Sequence, residues 1–116
     1  MVEMSDEDFK AIVAEVLDRI PEPIHRRLVN VAFVVESAPE EDFDLLGHYD
    51  GFPVTMAGDG GMIGALPNKI TIYRDPILAM CESVDHVIEE VAVTVIHEIG
   101  HYFGLDDGKL HDLGWA

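Results

Sequence analysis

Three shortages in this chain each exclude something. There is one cysteine, Cys81, in 116 residues. A lone thiol closes no intramolecular disulfide, so the chain is no disulfide scaffold and fits a reducing compartment. Without a partner cysteine, Cys81 reads as a small buried side chain rather than a nucleophile or a metal ligand. Basic residues number 7 against 23 acidic ones, a formal net charge of −16. Such a surface repels phosphate, which excludes nucleic acid as a partner. Its ordinary use is solubility. Long apolar runs are also missing, so no segment is expected to span a membrane. The start, Met1-Val2-Glu3-Met4-Ser5-Asp6-Glu7, is acidic. A secretory signal needs a positive start and then an apolar stretch. The expectation is a cytoplasmic protein.

Hydrophobic residues make up 48% of the chain, enough to bury a core. At this length the chain, residues 1–116, is expected to be a single domain. Residues 5–20 predict an amphipathic helix, with Phe9, Ile12, Val13, Val16, Leu17 and Ile20 on one face. Ser5 and Asp8 resemble a capping box, and Pro21 ends the helix. Ile24–Leu28 suits a short helical turn. Val29–Val35 is β-branched and apolar and predicts a buried strand.

An acidic loop, Ser37 to Asp44, follows. Asp50-Gly51 between Leu45–Tyr49 and Phe52–Met56 gives a hairpin-like signal, with Pro53 placing any strand there at an edge. Ala57–Asn68 is rich in glycine but lacks the lysine of a phosphate-binding loop, so it is expected to be a surface loop or lid. Lys69–Tyr73 predicts a strand, and Asp75-Pro76 a helix cap with a first-turn proline. From Glu82 to about Phe103 the residues Val84, Ile88, Val91, Val95, Ile99 and Tyr102 recur at steps of three and four. Length and period both select a helix.

That helix ends in His97-Glu98-Ile99-Gly100-His101. Two histidines four apart lie about 40° apart around a helix axis and one turn along it, so both rings can grip one metal ion. Glu98 sits about 100° from His97, able to reach a metal-bound water without taking a ligand position. Zinc lowers the pKa of such a water to about 7, and the carboxylate then removes its proton. Catalytic zinc needs a third protein ligand. Asp107 leads, with Asp106 and His111 as competitors. On a continuous helix Asp107 would point about 240° away from His101, so the helix must stop between them. Gly104 is where it can, because glycine accepts the left-handed backbone of a helix C-terminus.

The stretch His97 to Asp107 resembles the extended metzincin motif H-E-x-x-H-x-x-G-x-x-H/D, with aspartate in third place. With Ile70-Thr71-Ile72-Tyr73-Arg74-Asp75-Pro76 and Thr94-Val95-Ile96-His97, the chain resembles a small bacterial family of minimal zincin-like metallopeptidases. That resemblance implies an α/β (α+β) fold, with a small mixed sheet packed on the active-site helix and an N-terminal helix. It also implies one zinc ion and a peptide or protein substrate. In zincins substrate lies along an edge strand beside the active-site helix, and Lys69–Tyr73 is the candidate. Metzincins carry a methionine turn after the third ligand, whereas no methionine here follows Met80.

Tyr73, Tyr102, Arg74 and His111 are candidate oxyanion donors. Glu90 and Thr94 share the His97 face and could support it from behind. His25, His48 and His86 lack ligand spacing, and Trp115 reads as a packing anchor. Beside the peptidase stands a second reading, a non-catalytic zinc-stabilised binding module. A structural site closes its fourth position with a protein ligand and has no use for Glu98.

Overall fold

The computed structural model describes residues 1–51, 68–105 and Gly108. The Phe52–Met56 half of the expected hairpin, most of the glycine-rich segment, Asp106, Asp107, His111 and Trp115 lie outside the described residues.

Helix α1 runs Asp6–Asp18. The Ser5 hydroxyl accepts the Asp8 backbone N–H at 3.0 Å, and three acids occupy the first turn, where the helix dipole favours them. Phe9, Val13 and Val16 turn inward. Pro21 then opens the short helix α2, Glu22–His25, with Pro23 in its first turn, where a missing N–H costs nothing.

Strand β1 covers Val31–Glu36 and starts later than its composition suggests. Asn30 takes a left-handed φ of 58° just before it, which leaves Val29 exposed. Asparagine is among the few residues that tolerate this conformation. Strand β2 is Gly47–Asp50 and β3 is Asn68–Tyr73. The order is β1-β3-β2, with β3 parallel to β1 and antiparallel to β2. The sheet is mixed, as expected. Lys69–Tyr73, however, is its central strand, not an edge. The alternating pattern of that segment does not reveal how many neighbours it has, and Ile70, Thr71 and Ile72 are all buried. The strand beside the motif helix that pairs on one side only, among the described residues, is β2.

Helix α3, Arg74–Met80, begins two residues earlier than an Asp75 cap would allow. Asp75 lies inside the first turn and its carboxylate accepts from Arg74 Nε at 3.0 Å. Its backbone N–H is taken by the Ser37 carbonyl, which ties the helix start to the end of β1.

Helix α4, Val84–Tyr102, is capped by Ser83, whose hydroxyl accepts the His86 N–H. Val91, Val95, Ile99 and Tyr102 of the expected stripe are buried, and Val87 joins them. Val84 does not, because it is the first residue of the helix and is exposed. The core lies where α1 and α4 meet the sheet, with Phe9, Ile70, Ile72, Val91 and Val95 fully enclosed. Cys81 is fully buried too, and burial raises its thiol pKa, as suits an inert packing residue. No described helix is long and apolar enough to cross a membrane.

Candidate metal centre

The site stands on the last two turns of α4. The packing stripe fixes that helix on the sheet, and the neighbouring face carries His97 and His101. Their Nε2 atoms lie 3.2 Å apart, with the rings at 74° to each other and centroids 4.8 Å apart. At that distance one ring nitrogen can donate to the other, depending on tautomer. It is also the spacing a tetrahedral zinc requires. Two nitrogens each at 2.0–2.1 Å from one ion are about 3.3 Å apart. The donor set therefore fits zinc.

Glu98 joins the two histidines in one group whose ligand-type atoms all lie within 4.8 Å. The rings are half-buried, while Glu98 is only 7% exposed. Its cover comes partly from β2. A Cβ built on Gly47 would stand 2.6 Å from Thr94 Cγ2, 3.2 Å from the Thr71 carbonyl and 3.3 Å from Glu98 Cγ. The β2 backbone thus lies directly against the helix at the Glu98 turn. Nothing in the motif points to Gly47. The available signal was a glycine within an apolar segment, which often marks a close backbone approach.

The helix stops as the metal geometry demands. Gly104 adopts φ 83°, its N–H bonds to the His101 carbonyl, and the Leu105 N–H bonds to the Gly100 carbonyl. These two bonds form a Schellman motif, which turns the chain just before residues 106 and 107. Gly104→Ala should therefore cost about 1–2 kcal/mol, the usual penalty for a side chain in the left-handed region. Chemical denaturation of the metal-free protein measures it, and unchanged stability would contradict the turn.

The other polar candidates divide. The Tyr102 hydroxyl is committed to structure, accepting the Val29 N–H at 3.3 Å and lying within bonding range of the Arg27 and Val29 carbonyls. Arg74 pairs with Asp75 and reaches Asp6 at 4.0 Å. Glu90 faces His86 at 3.6 Å, one turn back along its own helix. Tyr73 is half-buried at the end of β3. Its pKa is raised by burial and then by the charges of Glu36, Glu40 and Glu98, so it keeps its proton. His25 and His48 are exposed. Asp107, Asp106 and His111 lie outside the described residues.

Residues 28–115 match the model of the zincin-like metallopeptidases. The chain belongs to that family. No curated protein matches its sequence. Among solved structures, this zincin-like chain resembles a conserved hypothetical protein from Thermus thermophilus. The two are 25% identical and superpose with a TM-score of 0.59 over 95% of this chain and 97% of the other. The family thus brings a metallopeptidase-type fold, and the His97, Glu98 and His101 cluster is consistent with zinc.

Proposed function

We propose that the protein is a zinc-dependent metallopeptidase that hydrolyses peptide bonds. His97, His101 and Asp107 hold one zinc ion, and Glu98 is the general base. One observation carries this reading: two imidazole nitrogens converge at the zinc spacing with a buried carboxylate beside them. A purely structural site would have no use for that carboxylate.

Zinc, when bound, would supply a Lewis acid that polarises a carbonyl and acidifies water. Glu98 takes the proton of the attacking water and passes it to the leaving amine. Its enclosure by β2 keeps bulk water from competing for the carboxylate. Tyr73, which keeps its proton, is one candidate for stabilising the developing oxyanion, and His111 is the other. A peptide would lie along β2, adding a strand beside the helix.

The direct test loads the protein with zinc and offers it a peptide library, with fragments read by mass spectrometry. Cleavage that a chelator stops is expected. No cleavage at full zinc occupancy would leave a zinc-stabilised binding module as the better reading.

The third ligand is tested separately. Asp107→Ala should weaken zinc binding strongly, whereas His111→Ala should change it little, by calorimetry or chelator competition. The reverse order would favour a closed, non-catalytic site.

A further inference from the structure

We infer that Gly47 is a positioning residue: its missing side chain lets β2 close against α4 and holds Glu98 in place. The inference rests on the reading of Glu98 as the general base and adds a residue that the metal motif does not contain.

Gly47 is needed for space, not for backbone freedom. It is paired with Ile72 in an ordinary antiparallel register, and no left-handed φ is involved. Directly opposed residues of an antiparallel pair project to the same face. Ile72 is fully buried in the core that α4 shares, so this position faces the helix. Any side chain would meet three neighbours there. Thr94 Cγ2 at 2.6 Å is closer than side-chain carbons tolerate, and Thr94 is β-branched, buried and on a helix, so it has little room to turn. The Thr71 carbonyl at 3.2 Å belongs to the central strand and cannot retreat. That leaves Glu98 Cγ at 3.3 Å, which must give by a few tenths of an ångström.

Thr94 and Glu98 are one helical turn apart, so the two contacts separate by chemistry. Thr94→Ser removes Cγ2, relieving the worst overlap while leaving the contact with Glu98. If Gly47 matters only for packing, that change should cure Gly47→Ala completely. If it positions Glu98, stability returns but the carboxylate stays displaced.

The experiment compares zinc-loaded wild type, Thr94→Ser, Gly47→Ala, Gly47→Ala/Thr94→Ser and Glu98→Gln. It reads the melting temperature, the zinc content, the affinity for acetohydroxamate and the crystal structure of the double variant. Acetohydroxamate is a zinc chelator whose hydroxyl can hydrogen-bond to a neighbouring carboxylate, so it senses Glu98 without any substrate. Gly47→Ala should lower the melting temperature, and the double variant should regain most of that loss with one zinc per chain. Relative to Thr94→Ser, the double variant should bind acetohydroxamate about tenfold more weakly, the loss expected from spoiling one hydrogen bond to a charged group. Its crystal structure should show Glu98 moved. Full acetohydroxamate affinity with Glu98 in its original place would overturn the inference. Failure of the general-base reading looks different: Glu98→Gln would then bind acetohydroxamate as tightly as wild type. In that case the Glu98 position in the double variant still decides the role of Gly47.

Discussion

His97→Ala and His101→Ala should each abolish stoichiometric zinc binding. The wild type should hold one ion per chain, measured by elemental mass spectrometry after gel filtration. Each variant should retain close to none at micromolar protein. Both ring nitrogens sit at the separation one tetrahedral ion imposes, so neither histidine can replace the other. Loss of either leaves a single helical ligand to share the ion with the proposed third ligand, Asp107. Both rings are half-buried at the end of the helix, outside the enclosed core, so the metal-free variants should fold like the metal-free parent. If either variant keeps the wild-type stoichiometry and affinity, the site has been placed on the wrong residues.

Glu98→Gln should leave zinc binding and folding nearly intact and lower hydrolysis by about two to four orders of magnitude, the usual contribution of a positioned base. Glutamine keeps the size and shape of the side chain in its slot against β2 and removes only its basicity. Turnover should be measured on a peptide that the wild type cleaves, with zinc content checked in both proteins. A fall in zinc content parallel to the fall in rate would make Glu98 a ligand. Equal rates would remove it from the chemistry and with it the proposed peptidase mechanism.

The motif helix was legible from the sequence because several signals agree there. The apolar period, a serine at its start and a glycine past its end all describe one helix, and none depends on the rest of the fold. The turn at Gly104 was legible for a different reason: a metal with two ligands on a helix requires the chain to leave the helix before a third. Strand order was not legible. Lys69–Tyr73 carries the same local pattern at the centre of a sheet as it would at an edge, because pairing on either side satisfies backbone groups without regard to side chains. Asp75 looked like a cap because Asp-Pro favours that role in isolation. In the fold its amide is claimed by Ser37, a partner distant in sequence. Gly47 went unseen for a related reason. What excludes a side chain there is Thr94 and Glu98, nearly half the chain away.

The strand order has a consequence for how the chain is made. Among the described strands the central one is the last in sequence, and Val31 pairs with Asn68, which emerges much later. During synthesis β1 and β2 therefore emerge before the strand that each pairs with among the described residues, and they do not pair with each other. Such segments are exposed to association with other chains until β3 arrives. The acidic residues of 36–44 and Asp50, carried on and between those two strands, give every nascent copy the same repelling charge over that interval. The helix bearing His97 and His101 follows β3, so both histidines emerge only after the three described strands.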